Sequence, residues 1–176
     1  MFSRFTIPII IILLSLNLII FNIDFYEKES NYDSSEIKDL LSYFSGSELN
    51  PEYTIEETIH LKDVRNLIWV SWGLIILLSI TLFFSPTKDI IYGGIISLII
   101  TLFLPVIFLS FDSAFILFHK LLFTNNYWLL PSTSKLIQML PEKFFIEAAK
   151  QLIFNNLILS LFTIILGIKI RKGIKQ

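Results

Sequence analysis

The chain has 176 residues, of which 54% are hydrophobic and only 16% charged, and it contains no cysteine. Its mean hydropathy of +0.70 indicates more apolar surface than a soluble domain of this length can bury, so the composition predicts an integral membrane protein. The lack of cysteine excludes disulfides, thiolate nucleophiles and thiolate-bound metals. The net charge of −1 identifies no partner, and the sequence has no basic patch suited to nucleic acid.

Four apolar runs approach the ~20 residues that a helix needs to cross the hydrocarbon core of a bilayer. They are residues 5–23, 67–84, 90–111 and 152–170. We expect Pro105 to kink the third run. No pair of small residues follows the first run at a plausible cleavage position, so we interpret it as a retained anchor. The sequence thus predicts an all-α integral membrane four-helix bundle, with residues 1–176 forming a single membrane domain.

Lysine and arginine residues near the ends of the runs predict the direction of each span. The cations expected on the cytoplasmic side are Arg4, Lys88, Lys169, Arg171, Lys172 and Lys175. The stretch from Asp24 to Arg65 instead has eleven acids and four bases, and we expect the polar loop within it, residues 27–50, to fold partly against the membrane surface. We therefore predict a multi-pass protein of the cell membrane with cytoplasmic termini and with residues 24–66 and 112–151 on the extracytoplasmic side.

The second span is predicted to begin as a helix outside the bilayer. Thr54 and Glu57 match a capping box, which places the helix start well before the apolar run. His60 then lies about two turns, or roughly 10 Å, ahead of that run. On the helix it shares a face with Glu56 and Asp63, and either carboxylate could orient the imidazole. A solvated acidic collar explains this segment equally well.

The stretch after the third span is too polar to cross a membrane and too apolar for an ordinary loop. FDSAFILFHKLLF predicts an amphipathic helix with His119 and Lys120 towards the edge of its apolar face. A turn with two amides and two interfacial aromatics follows. We then expect a short helix capped by Ser132 or Ser134, and Pro141 in the first turn of the last helix. These features predict an extracytoplasmic amphipathic helical hairpin between the third and fourth spans.

The two histidines are the only ones in the chain, and the predicted topology places both on the same membrane face. The sequence has no G-x-S-x-G or H-E-x-x-H motif and no glycine-rich phosphate loop. A metal site built from His60, His119, Asp63 and Glu56 has no recognisable spacing but stays possible. The remaining chemistry is acid–base catalysis by two histidines on a substrate embedded in the outer leaflet.

Two stretches resemble a known family. EETIHLKDVRNL, residues 56–67, is similar to an E-x-x-H-x-x-D-V pattern, and FHKLLFTNNYWLLPSTSKLIQMLPEKFF, residues 118–145, is similar to an F-H-x-x-F-F…N-x-W…P…L-I…L-P-E-x-F-F block. Both patterns are typical of the lipoprotein intramolecular transacylases, small bacterial proteins with four spans. The two stretches cover about a quarter of the chain. Leu61 stands where the family often has methionine, and Leu130 and Ser134 stand where it commonly has acids.

The resemblance implies a reaction and its partners. Such an enzyme moves the sn-2 acyl chain of a diacylglyceryl-modified N-terminal cysteine to the α-amino group of that cysteine and leaves a lyso-form lipoprotein. The expected partners are diacylglyceryl-modified lipoproteins and membrane lipid, and no cofactor or metal is expected. The nucleophile is the substrate's own amine, whose ordinary pKa of about 7.7–8.0 suits a histidine base.

The resemblance also suggests roles for individual residues. We expect His60, His119 and Asp63 to be catalytic, and Arg65, Asn126 and Trp128 to bind substrate. One imidazole would deprotonate the amine and the other would polarise the ester or protonate the leaving oxygen, while Asp63 orients His60. Two alternatives remain open: a non-enzymatic four-span interaction protein, and a metal-dependent membrane hydrolase.

Overall fold

The computed structural model describes residues 3–173; Lys175 of the predicted cytoplasmic tail lies outside them. Its helices are α1 (Ser3–Ile20), α2 (Ile23–Glu29), α3 (Ser34–Ser45), α4 (Ile55–Phe83), α5 (Thr87–Ile107), α6 (Phe111–Leu122), α7 (Lys135–Met139) and α8 (Glu142–Gly173), with a 3₁₀ turn at Phe108–Ser110. No strand occurs within residues 3–173. The prediction of an all-α fold is confirmed.

Three helical stretches in the described part of the chain are long and apolar enough to cross a membrane: Ile55–Phe83, Thr87–Leu122 and Glu142–Gly173. The first helix meets this test only together with α2, and the two are bent by 61°. The bend falls where Asn22 adopts an extended backbone and its side chain accepts a hydrogen bond from the Phe25 amide to start α2. The structure therefore has three candidate spans, or four if the bent pair counts as one.

The chain folds as two compact units. The first unit contains the described parts of residues 1–18, 70–109 and 150–176, and the second contains residues 19–69 and 110–149. Helices α4 and α8 contribute residues to both. The limits of the second unit lie within a few residues of the segments that the sequence predicts to be extracytoplasmic.

Helices of the first unit approach one another closely at small residues. A Cβ atom added at Gly94 would lie 2.7 Å from the Ile164 side chain and 3.2 Å from the Ile164 backbone nitrogen, and one added at Gly93 would collide with α1. The buried hydroxyls of Ser97 and Ser160 form a hydrogen bond of 2.9 Å. Because small side chains let helix backbones come together, these residues set where α5 packs against α1 and α8.

One end of the first unit gathers three segments of the chain. The Arg4 guanidinium donates to the Asp89 carboxylate at 3.1 Å, which joins the start of α1 to the start of α5. Gly167 lies against Ile91, since an added Cβ atom would be 2.8 Å from the Ile91 side chain. The start of α1, the turn that carries Lys88 and the last turns of α8 therefore share one end, as the charge pattern predicts.

The second unit has a packed core of the kind found in soluble proteins. Its buried apolar side chains are Tyr26, Ile37, Leu40, Tyr43, Phe44, Leu61, Ile68, Leu136, Met139, Leu140 and Phe144. Four of them come from α3, within the polar stretch that the sequence assigns to the membrane surface. The apolar face of α3 is buried in a protein core, where each large side chain contributes about 1.5–3 kcal/mol, and the location of this segment at the membrane surface stays a prediction.

The predicted helix starts around the second unit are confirmed. The Thr54 amide donates to the Glu57 carboxylate at 2.8 Å, and the Glu57 amide donates to the Thr54 hydroxyl at 3.2 Å, which completes the capping box. Ser134, rather than Ser132, caps α7. Helix α8 begins at Glu142, so Pro141 directly precedes the first turn instead of lying in it, while the residues ahead of the last span are helical as expected.

Candidate active site

The structure brings the two histidines together within the second unit. His60 lies on α4 and His119 on α6, with ring centroids 6.0 Å apart and ring planes inclined by 35°. Each residue is only 8% exposed. His60 precedes the apolar run predicted to be the second span, and His119 follows the one predicted to be the third. A pair of imidazoles buried side by side is the central feature of this unit.

Aromatic side chains surround the pair. Trp128 stacks on the His119 ring with centroids 4.9 Å apart, and the Phe115 ring lies 4.1 Å from the same imidazole. The Phe123 ring contacts both histidines, at 5.0 Å from His60 and 5.6 Å from His119. These rings hold the imidazoles in place and keep bulk water from most of their surface.

The position of His119 on α6 differs from the sequence prediction. Instead of lying at the edge of an apolar face, His119 is the buried residue of this helix, while Leu117, Phe118 and Leu121 are each about half exposed or more. Most large apolar side chains of α6 stay exposed. In a protein that borders lipid, polar groups instead turn towards the protein interior.

A hydrogen bond fixes the proton arrangement of His119. Its Nδ1 atom lies 2.8 Å from the backbone carbonyl oxygen of Phe115. A carbonyl oxygen can only accept, so Nδ1 carries the hydrogen in this bond. In the neutral ring the lone pair is then on Nε2. His119 can therefore act as a base through Nε2, which makes no hydrogen bond to its own helix.

Both imidazoles are kept neutral at ordinary pH. The pKa of His60 is lowered to about 4, chiefly by burial and in addition by the neighbouring His119, while the Asp63 carboxylate opposes both effects. Burial also lowers the pKa of His119, and the hydrogen bond to the Phe115 carbonyl opposes it. The Nδ1 atom of His60 is buried and makes no hydrogen bond with any of residues 3–173.

Asp63 has a different partner from the one predicted. Its carboxylate accepts a 2.8 Å hydrogen bond from the side-chain amide of Asn125, and within the described residues no hydrogen bond joins it to His60. The expectation that Asp63 orients His60 by direct contact is therefore replaced by a link between α4 and the turn after α6. The sequence showed two adjacent asparagines there, and it could not tell which one turns inwards.

Arg65 points away from the histidines. Its guanidinium lies 4.3 Å from the centroid of the Tyr43 ring and 5.7 Å from that of Trp69. Five positions along an α-helix correspond to a rotation of about 140°, so Arg65 and His60 project from different faces of α4. The structure does not bring Arg65, one of the predicted substrate-binding residues, to the imidazole pair.

Glu57 has a larger role than its sequence motif indicated. The side chain is only 1% exposed, and beyond the capping box its second carboxylate oxygen accepts a 2.8 Å hydrogen bond from the Leu136 amide. One turn before His60, α4 is thereby joined to the start of α7. A capping box signals only local contacts, so this long-range hydrogen bond was not predictable from the motif.

A cleft of about 360 Å³ opens beside the histidine pair. Its polar lining residues are Lys120, Thr124, Asn125 and Asn126. Its apolar lining residues are Ile116, Phe123, Trp128 and Leu129. Phe123 and Trp128 also contact His119, so two of the predicted substrate-binding residues, Asn126 and Trp128, lie in a cavity next to an imidazole.

Within residues 3–173, no group of three or more histidine, aspartate or glutamate side chains is arranged to hold a metal ion. The donors near the cleft are two imidazoles and the Asp63 carboxylate, which already accepts a hydrogen bond from Asn125. The arrangement instead provides a neutral base, a second imidazole 6.0 Å away and an adjoining amphipathic cleft. Such a site is suited to moving a proton during attack on a polar bond.

Fold and site together define a helical membrane protein with a buried pair of acid–base groups. Residues 1–145 match the family described as lipoprotein intramolecular transacylase Lit. The chain belongs to this family, which confirms the resemblance found in the sequence. It is also 32% identical over 132 residues to an uncharacterized protein of Aquifex aeolicus; the match covers 69% of this chain and spans only 60% of the length of that relative.

Solved structures of a Bacillus cereus protein share the fold. The membrane-integral lipoprotein intramolecular transacylase Lit from that organism is 24% identical, with a TM-score of 0.76 over 98% of this chain and 94% of its own. A variant of it in which one histidine is replaced by arginine is 27% identical, with a TM-score of 0.67 over 99% and 92% of the two chains. The predicted membrane-protein fold is therefore confirmed.

Proposed function

We propose that this protein is a lipoprotein intramolecular acyltransferase that moves the sn-2 acyl chain of a diacylglyceryl-cysteine to the α-amino group of that cysteine. The observation that carries this proposal is the buried pair of neutral imidazoles, 6.0 Å apart, in a chain of the lipoprotein intramolecular transacylase family. A reaction of this kind needs no serine or cysteine on the enzyme, because the substrate supplies both the nucleophile and the ester.

The proposed chemistry follows from the proton arrangement of His119. The substrate amine attacks the ester carbonyl carbon, a C–N bond forms, and Nε2 of His119 takes the proton that the nitrogen loses. The bond between the acyl carbonyl carbon and the glyceryl oxygen then breaks, and that oxygen receives the proton that His119 has taken up. The net result is one amide formed and one hydroxyl freed, with no water or cofactor consumed.

His60 is suited to the electrophilic part of the reaction. Its low pKa keeps the ring neutral, so it acts as a hydrogen-bond donor to the developing oxyanion rather than as a standing cation. A second fixed charge beside His119 would lower the basicity of that imidazole. Assigning His119 as base and His60 as donor gives each residue a role that matches its surroundings.

The aromatic walls support acyl transfer over hydrolysis. Attack by the amine closes a medium-sized ring within the substrate, and holding that ring closed supplies much of the rate. Water in the same place would compete for the ester. Phe115, Phe123 and Trp128 pack on the imidazoles and restrict the approach of water to them.

We further propose that this site faces the extracytoplasmic side of the membrane. The cation-rich ends of α1, α5 and α8 meet at one end of the first unit, which supports a cytoplasmic location for that end. The chain has no cysteine, so single cysteines at the exposed positions Lys88 and Glu48 can report sidedness. In intact cells an impermeant maleimide should label Glu48→Cys and spare Lys88→Cys; the reverse would overturn the orientation.

The direct test is mass spectrometry of a lipoprotein N-terminus from a host that lacks this activity, with and without co-expression of the protein. We expect the peptide to gain an N-acyl group and to lose the sn-2 ester in the same molecule. Loss of the ester with a free amine would instead indicate a hydrolase, and chelation would then show whether a metal is needed. An unchanged lipoprotein would favour the non-enzymatic interaction protein.

A further inference from the structure

The cleft beside His119 is lined by both polar and apolar residues, and another face of α6 presents a separate apolar surface. Ile116, Lys120 and Phe123 recur at helical spacing and line the cleft. Leu117 and Leu121 each follow one of these residues and are turned about 100° from it around the helix; they are 55% and 75% exposed. The long acyl chains of a lipid substrate therefore have an apolar surface outside the cleft, and the cleft itself is left for a polar part.

The size of the cleft also indicates that it holds a polar part of the substrate and not the acyl chains. A volume of about 360 Å³ is at the lower end of the range for small-molecule sites, which is roughly 300–1,000 Å³. The space is too small for a diacylglyceryl group, and the hydroxyl and amides of Thr124 and Asn126 would be poorly matched to hydrocarbon. These polar groups suit the backbone and side chains of a short peptide.

Lys120 gives the cleft its charge. The side chain is exposed, and it makes no ion pair or hydrogen bond with any of the residues that the structure describes. The acid linked to this region, Asp63, already accepts a hydrogen bond from Asn125. An ammonium group beside amide donors, at the entrance to a partly apolar cleft, attracts a carboxylate and repels a cation.

We infer that this cleft receives the peptide segment that follows the acylated cysteine of the substrate, and that Lys120 makes the enzyme prefer an acidic side chain in that segment. The inference rests on the proposed acyl transfer and adds a substrate preference to it. The cleft shares Trp128 with the His119 surroundings, so a peptide held there keeps its N-terminal cysteine near the imidazoles. Lys120 then acts in selection and not in the chemical step.

The test uses the full-length protein in detergent micelles and a series of synthetic diacylglyceryl lipopeptides. The peptides differ only by glutamate, glutamine or lysine at the second or the third residue, and mass spectrometry follows the N-acyl product. We expect kcat/KM to fall from glutamate to glutamine to lysine by about 2- to 5-fold per step, as is usual for an exposed ion pair. The preference should shrink as salt is added.

Variants at Lys120 separate this inference from the proposed function. Lys120→Gln should remove the preference and Lys120→Glu should reverse it, whereas Lys62→Gln, at an exposed lysine of α4, should leave the order unchanged. Product formation by the wild type without any preference, or a preference that persists in Lys120→Gln, would overturn the inference and leave the acyl-transfer proposal intact. No N-acyl product from any peptide would refute both.

Discussion

The two units of this protein obtain their structure in different ways. In the apolar stretches of α4 and α8 only 11% and 17% of the residues are buried, and most large side chains of the first unit are exposed. The second unit buries a cluster of aromatic and aliphatic side chains and adds long-range hydrogen bonds from Glu57 and Asn125. The first unit thus depends on small residues where helices meet, and the second on specific contacts that position the histidines.

The histidines give the sharpest test of this difference. Replacing His60 or His119 with alanine should lower N-acyl transfer by about 10²- to 10⁴-fold, because each substitution removes a group that moves or shares a proton. The amount of protein in the membrane should not change. Mass spectrometry of a co-expressed lipoprotein measures the loss, with Lys62→Gln as the matched control. Substantial activity in either alanine variant would remove that histidine from the mechanism.

A close approach of helices gives the corresponding test in the first unit. Gly94→Ala would place a Cβ atom 2.7 Å from Ile164, and we expect a loss of roughly 1–3 kcal/mol in unfolding free energy. Gly73 has nothing within 4 Å of an added Cβ atom, so Gly73→Ala should be neutral or stabilising by up to about 1 kcal/mol. Thermal unfolding in detergent compares the two.

The Gly94→Ala enzyme that remains folded should transfer acyl chains at the wild-type rate per molecule, because the histidine pair lies in the other unit. A large fall in that rate would show that packing in the first unit also controls the chemistry. Equal unfolding temperatures for Gly94→Ala and Gly73→Ala would contradict the close approach itself.

Two adjacent aromatics provide a smaller and more local test. Trp128 stacks on His119, and aromatic contacts of this kind contribute about 0.5–1.5 kcal/mol, so Trp128→Ala should lower the rate by up to roughly 10-fold. Tyr127 is 41% exposed and has no ring contact with either histidine, so Tyr127→Ala should stay within about 2-fold of the wild type. Initial rates with one lipopeptide decide between them. Similar losses in both variants would favour general interfacial anchoring.

The smallest expected effect concerns the pH dependence of kcat/KM, which should show no inflection from the histidines near pH 6.5. Burial lowers the pKa of both imidazoles below the ordinary value of 6.5, so neither should titrate at that pH, and His60 becomes protonated only near pH 4. Below pH 7.7–8.0 the substrate amine is mostly protonated, so kcat/KM should rise with pH until that amine is neutral. A plot of log kcat/KM between pH 6 and 9 should have one bend, near the amine pKa. A second bend near 6.5 would contradict the burial of the histidines.

Much of the second unit's organisation was not predictable from its composition. The helix starts at Thr54 and Ser134 were predictable because capping is a local interaction between residues three positions apart. The burial of α3 was not, since its apolar residues are separated by charged ones and their partners come from distant segments. The sequence also could not show that Asn125, and not Asn126, is the partner of Asp63. Two neighbouring asparagines are chemically identical, and only the path of the folded backbone decides which one points towards Asp63.

The sequence by itself determined the membrane class, the helical fold, the family and the two residues on which the proposed chemistry depends, because hydropathy, capping and the histidine motifs are properties of short stretches. Only the tertiary structure decided that the imidazoles lie 6.0 Å apart, that His119 donates to the Phe115 carbonyl, and that Arg65 turns away from them. These features depend on how α4 and α6 are rotated about their own axes. Contacts between residues far apart in the chain fix that rotation, and no local pattern encodes it.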